Sequence, residues 1–219
     1  MTEKNNCDPG CSWSGRAGQR AGVSFDPIGN GMMRKQLLLH SCCGPCSTAV
    51  IERLIQDYEI TVFFYNPCIT DVEEYEKRKL NQIKFITAIN QKAETEFGRV
   101  NFIEGDYEPD EFLEKTKGLE NEPEGGERCT VCFRQRLTKT AAYAARHGYP
   151  IFGTTLTVSP HKNYKLISEI GNSLAEEYGN EFLDMDFKKK AGFQRSVQLS
   201  KEYDLYRQDY CGCCYSKRK

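Results

Sequence analysis

Eleven of the 219 residues are cysteine, and eight of those fall in three short strings: Cys42-Cys43 with Cys46, Cys129 with Cys132, and Cys211 with Cys213-Cys214. Thiolate sulfur is a soft donor that holds iron–sulfur clusters, zinc or copper(I). An odd count with adjacent thiols fits metal ligation better than a disulfide framework. Cys129 and Cys132 stand three apart at a helix start, so both face one way. Gly212 lets the backbone turn tightly between Cys211 and Cys213. Six thiols from three separate segments exceed the four that one zinc ion or one cubane cluster takes. A cluster with a second metal, or a cluster with a reactive thiol pair, accounts for the surplus. Inert buried cysteines and a purely structural zinc are the plainer readings.

Other polar residues have two readings each. Asp71 and Asp106 follow strands and can ligate metal or supply protons, or merely cap helices and face water. His161, in Ser-Pro-His-Lys-Asn after a strand, is a candidate proton donor or a solvated loop residue. His40 ends a strand beside the cysteines, as a ligand or a support for one. His147 precedes a glycine near a helix end, where it complements the helix dipole. Lys188 to Lys190 with Arg195, and the terminal Lys217 to Lys219 run, are local basic patches suited to phosphate.

These side chains need a frame. Leu37 to His40 is a short apolar run that reads as a buried strand. A turn over 41–45 leads to a helix at 47–57, with Val50, Ile51, Leu54 and Ile55 on one face. Further strands are expected at Ile60 to Tyr65, Val100 to Ile103, Ile151 to Thr155 and Phe182 to Met185. Helices are expected at 71–97, 110–117, 130–147, 163–178 and 192–202. Strands alternating with helices predict a single α/β domain over 34–219, with a parallel sheet covered on both faces. Sites in such sheets form at the carboxyl ends of strands. The Cys42 turn, Asn66-Pro67-Cys68, and Thr154 to His161 all follow strands. Nucleotide-binding folds often place a glycine-rich phosphate turn after the first strand; here that turn presents thiols. Residues 1–33 lack apolar periodicity and read as a disordered N-terminal extension, with Cys7 and Cys11 as incidental thiols.

The net charge is −1, with 30 basic and 31 acidic residues, so any nucleic-acid contact must be local. No apolar run reaches membrane-spanning length and no secretory signal is visible, so a cytoplasmic protein without a membrane partner is expected. A reducing cytoplasm keeps clustered thiols available as ligands.

Five ordered strings, HSCCGPC, GGERCTVCFRQRLTKTA, FGTTLTVSPHKN, DFKKKAGFQRS and YRQDYCGCCYS, together resemble the QueH family of epoxyqueuosine reductases over roughly residues 37–216. The resemblance implies a Rossmann-like, HUP-type sheet and an oxidoreductase active in tRNA queuosine biosynthesis. It implies reduction of epoxyqueuosine to queuosine at the tRNA wobble position, without cobalamin. It implies a cysteine-bound [4Fe-4S] cluster with an additional iron ion beside it, and an electron donor that the resemblance does not identify. The family's cysteines match Cys42, Cys43, Cys129, Cys132, Cys211 and Cys213. Family members differ at the position of Cys46, and Cys68 and Cys214 lie outside the pattern. Deoxygenation of an epoxide needs an acid for the departing oxygen, for which His161, Asp71 and Tyr107 are candidates. Phe133, Arg134, Arg136, Lys162 and Lys189 are candidates for stacking and phosphate contacts in a single-stranded anticodon loop. A tRNA-thiolating enzyme of the ATP-pyrophosphatase type and a zinc-stabilised tRNA-binding module are the alternatives. Against the first, the SCCGPC turn lacks the Ser-Gly-Gly loop that ATP requires.

Overall fold

The computed structural model describes residues 34–93 and 98–217; the expected extension over 1–33, with Cys7 and Cys11, lies outside them. Five strands form one sheet: β1 (Lys35–His40), β2 (Tyr58–Phe64), β3 (Asn101–Glu104), β4 (Ile151–Thr154) and β5 (Glu181–Phe182). Their order is β3-β2-β1-β4-β5, and every pairing is parallel. Six α-helices accompany them: α1 (Gly44–Leu54), α2 (Val72–Ala93), α3 (Pro109–Lys115), α4 (Glu127–His147), α5 (Tyr164–Tyr178) and α6 (Gly192–Glu202).

The leucine run explains why β1 is central. Side chains alternate between faces along a strand, so a strand apolar at every position must be covered on both sides. Leu37 and Leu39 pack with Val50 and Ile51 of α1 and Phe85 of α2. Leu38 points the other way, into Phe133, Leu137 and Ala141 of α4 and Ile167, Ile170 and Leu174 of α5. Helix α6 packs on α1, on the first face. Burying each of these leucines contributes about 1.5–3 kcal/mol. Sheet order reverses at β1, with β2 on one side and β4 on the other. The carboxyl ends beside such a reversal leave a crevice, and the segments after β1 and β4 line a cavity there.

Element boundaries differ from expectation in two informative places. Helix α1 begins at Gly44 rather than residue 47, because Pro45 in its first turn presets helical φ. Strand β5 stops at Phe182, and residues 183–185 continue as irregular chain. After β4 comes an unanticipated 3-10 turn, Thr155–Val158.

Gly44 sits where α1 crosses α2. A Cβ there would lie 2.7 Å from Asn81 O and 3.0 Å from Asn81 C, both backbone atoms that cannot rotate away. Gly44→Ala is therefore expected to destabilise the fold by about 1–3 kcal/mol, the usual cost of overpacking. Urea unfolding of the metal-free protein measures it; an unchanged midpoint would show that the helices separate freely.

Candidate metal centre and active site

The turn after β1 is held as rigidly as the strand. Ser41 N donates to Phe63 O at 3.0 Å, continuing the β1–β2 ladder. Ser41 Oγ donates to Gln82 Oε1 at 2.7 Å, and Asn66 Nδ2 donates to Ser41 O at 2.9 Å. Cys43 is the N-cap of α1, in extended conformation, and Cys46 falls in the first helical turn. The sulfurs of Cys42, Cys43 and Cys46 all lie within 4.8 Å of one another, a triad that can hold a metal ion.

A second thiol group forms where β2, α4 and the C-terminal segment meet. Cys68 and Cys213 are buried beside Phe64, Ile69, Tyr75 and Phe112, and Cys132 and Cys211 pack against this cluster. Cys211 and Cys213 sulfurs are 3.7 Å apart, and Cys211 Sγ also bonds to Ser216 Oγ at 3.1 Å. Cys129 is buried one turn before Cys132 and accepts from Gly125 N at 3.2 Å. The Cys211-Gly212-Cys213 turn requires its glycine: φ is +113°, and a Cβ would meet Ile69 Cγ1 at 2.9 Å and Arg78 Nη1 at 3.0 Å.

Two buried arginines tie these groups to the scaffold. Arg136 of α4 donates from Nη2 to Asn66 Oδ1 at 2.6 Å and from Nε to His40 Nε2 at 3.2 Å; its Nη1 lies 3.8 Å from Cys132 Sγ. His40 Nε2 also faces Tyr65 O at 3.1 Å, but a guanidinium only donates, so Nε2 accepts and Nδ1–H points to Thr154 Oγ1 at 2.9 Å. Burial, helped by Arg136, pushes the His40 pKa down to about 3, so the ring is a neutral support. Arg78 of α2 donates to Glu74 Oε1 at 2.6 Å, to Cys211 O at 3.0 Å and to Tyr210 O at 3.1 Å.

Before any metal, the first thiol group surrenders one proton easily and the second group two, while Cys43, Cys46, Cys132 and Cys213 hold theirs. Hydrogen bonds from Cys43 and Cys46 hold Cys42 well below the usual thiol range. Burial and the neighbouring Cys42 push Cys43 up to about 12. In the second group, Cys213 lowers Cys211 to about 4 with help from Lys162, and Cys132 lowers Cys68 to about 7. Burial opposes the charge on Arg136, but Cys68, Cys132 and Cys42 outweigh it and raise its pKa. Thiolates beside fixed cations are ready ligands and nucleophiles.

Both thiol groups border one cavity of about 240 Å³, whose walls include Cys42, Cys46, Arg136, Thr155, Gln208 and Cys211. His161 and Lys162 also border it. Asp71 does not line it; its Oδ1 accepts from Glu73 N and Glu74 N at the start of α2, and Oδ2 lies 3.4 Å from Lys217 Nζ. Tyr107 donates to Ile69 O at 2.9 Å and packs on Tyr75, also outside the cavity wall. Asp106 pairs with Lys139 at 3.3 Å, and His147 stacks on Tyr143. Phe133 and Arg136 are buried, whereas Arg134 and Lys189 are exposed. Cys214 is exposed as well.

Two thiols outside the six that the family resemblance matched join the groups. Cys46 follows Cys43 by three residues, a separation that a helix start places on one face. Cys68 follows the Asn66-Pro67 stop of β2, and only the tertiary fold brings it to Cys132.

A family model described as Epoxyqueuosine reductase QueH matches residues 37–219. The chain belongs to the QueH family. Curated relatives carrying the name Epoxyqueuosine reductase QueH agree. The protein from Streptococcus pyogenes serotype M1 is 44% identical over 186 residues, covering 85% of this chain and 72% of the relative. That from Staphylococcus epidermidis is 44% identical over 188 residues, covering 85% and 78%. That from Thermotoga maritima is 37% identical over 183 residues, covering 82% and 89%. The QueH match starts at Leu37, a wholly buried residue of β1, and so spans both thiol groups and both arginines. Among the described residues, no helix is long and apolar enough to cross a membrane.

Proposed function

We propose that this QueH-family chain reduces epoxyqueuosine to queuosine in the anticodon loop of tRNA, independently of cobalamin. The observation that carries the reading is the convergence of two thiol groups on one cavity, in a chain whose relatives bear that enzyme's name. The net change removes the epoxide oxygen as water and leaves an alkene, consuming two electrons and two protons.

The donor set fits the [4Fe-4S] cluster and additional iron that the family resemblance implies: all the ligands are soft, buried or half-buried thiols, with lowered proton affinity in each group. The Cys42, Cys43 and Cys46 set would hold one centre. Cys129, Cys132, Cys211 and Cys213, with Cys68 beside them, would hold the other. When bound, such centres supply electrons one at a time from an external donor. The protein's own residues do the rest. Arg136 balances negative charge between the two groups. His161, at the cavity border, is assigned as the proton donor to the departing oxygen; Asp71 and Tyr107 are assigned no contact, since each is engaged elsewhere. Lys162 and exposed Lys189 are assigned to tRNA phosphates, the positioning contacts of such complexes.

Anaerobic reconstitution with iron and sulfide tests the reading. With a chemical reductant, the product nucleoside from epoxyqueuosine-tRNA should be queuosine, and Cys211→Ala and Cys129→Ala should each lose iron and at least about 100-fold in activity. Full iron content and activity in both variants would disprove the ligand assignment. Stoichiometric zinc with no reduction would disprove the enzyme reading.

A further inference from the structure

Three buried threonines crowd the end of β4: Thr154, Thr155 and Thr157. Thr154 Oγ1 accepts from Leu156 N at 3.1 Å and meets His40 Nδ1 at 2.9 Å. Thr157 Oγ1 donates to Met185 O at 2.8 Å. Thr155 differs: its hydroxyl is buried without a hydrogen-bond partner among the described residues, and the residue borders the cavity.

A second orphan borders the same cavity. Gln208 Oε1 is buried and unpartnered, while the other end of that amide is fixed, Nε2 donating to Cys43 Sγ at 3.0 Å. Gln208 thus links the C-terminal segment to the β1 turn and leaves its oxygen unused. Buried polar groups in folded proteins are almost always paired, and an unpaired one is a net cost to the fold. Two of them on the wall of one cavity, beside the thiol triad, mark where a ligand supplies the missing bonds. The chemistry of the pair restricts that ligand. A carbonyl oxygen only accepts, and a hydroxyl donates or accepts, so the ligand brings at least one O–H or N–H donor and a second polar group nearby.

Given the proposed function, the ring that carries the epoxide has that character, because it also bears hydroxyl groups. We propose that Thr155 and Gln208 are substrate-binding residues that receive the ring hydroxyls and hold the epoxide-bearing ring against the Cys42–Cys43–Cys46 triad. They thereby select a hydroxylated ring over an apolar modification of similar size. The discrimination is of the strong kind, since a ligand lacking the hydroxyls leaves both protein groups unpaired.

The test uses the reconstituted full chain and the variants Thr155→Val, Thr155→Ser and Gln208→Met. Epoxyqueuosine-tRNA is the substrate and queuosine-tRNA, which keeps the hydroxyls, is the competing product. Thr155→Val should raise KM and the product inhibition constant together by about tenfold, with the smaller change in kcat. Its iron content should match the parent, and its thermal midpoint should equal or exceed the parent's, because valine replaces a hydroxyl that bonds to nothing among the described residues. Thr155→Ser should restore both constants, and Gln208→Met should raise both. Unchanged constants in Thr155→Val and Gln208→Met, with an active parent, would overturn this inference alone. A lowered thermal midpoint in Thr155→Val would also overturn it, by showing that the hydroxyl is used within the fold. A parent that does not reduce epoxyqueuosine-tRNA would overturn the functional reading and this inference with it.

Discussion

Arg136→Met is expected to destabilise the metal-free protein by about 3–5 kcal/mol, the range for breaking a buried charge pair by removing one partner. Methionine fills similar space but cannot replace three hydrogen-bonding nitrogens. Asn66 Oδ1 loses a 2.6 Å bond and His40 Nε2 loses a 3.2 Å one, leaving the ring nitrogen facing only the Tyr65 carbonyl. The larger loss is electrostatic. The thiols of Cys68, Cys132 and Cys42 all act on this one guanidinium, so all three become harder to ionise without it. Urea unfolding under anaerobic conditions gives the stability change, and thiol alkylation rates against pH give the ionisation change. Arg136→Lys should recover the charge and little of the geometry, since an ammonium lacks the planar fork that reaches Asn66 and His40 together. A stability loss below about 1 kcal/mol in the methionine variant would contradict the account.

Arg78→Met is expected to release the C-terminal thiols. The side chain is 1% exposed, pairs with Glu74 at 2.6 Å, and bonds the carbonyls of Tyr210 and Cys211. Without it, Glu74 is left buried with only Tyr206 Oη, at 3.1 Å, as a side-chain donor among the described residues. The fold should again lose about 3–5 kcal/mol, but the distinctive result is local. Amide hydrogens over 208–216 should exchange much faster, while those of β1 and β4 keep their protection order. Iron retained by the reconstituted protein after gel filtration should fall with them. Pairing the change with Glu74→Gln separates causes: the double variant should regain stability, because the stranded carboxylate is gone, yet it should not regain slow exchange. If 208–216 stays protected in Arg78→Met, the segment is anchored by something else.

How much of this could be read from residue order follows from how local each feature is. Leu37-Leu38-Leu39 announces a strand covered on both faces, and its neighbours' periodicity announces the helices, so the parallel α/β layout was legible. The cysteine strings announced clustered thiols, since Cys42-Cys43 and Cys129-x-x-Cys132 are local patterns, and Cys42, Cys43 and Cys46 do form a triad that can hold a metal ion. Cys68 carries no local pattern; it joins its group only because β2 ends opposite α4. The arginines were the least legible. A charged residue on an otherwise polar helix face is ordinarily solvated, so Arg136 read as a candidate for tRNA contact and Arg78 drew no notice. Both are buried because they bond to backbone carbonyls, an amide oxygen and a thiol on segments far away in sequence, contacts that tertiary structure alone creates. The start of α1 was misplaced for the opposite reason: apolar periodicity begins at Val50, while Pro45 had already set the first turn.

The anchoring of the last cysteines by Arg78 has a consequence for how the protein comes into being. The guanidinium and the Cys211 carbonyl it grips are 133 residues apart. At translation rates of about 5–20 residues per second, about 7–27 seconds pass between the emergence of the one and of the other. Throughout that interval the β1 turn has left the ribosome, joined part-way by the start of α4, with its thiols made but one wall of the chamber unbuilt. Contacts between such distant positions also form late in folding, since the long loop must close before they stabilise anything. The nascent chain therefore has a window in which its sulfurs meet the surrounding solution, and in which metal delivery competes with oxidation before the door is shut.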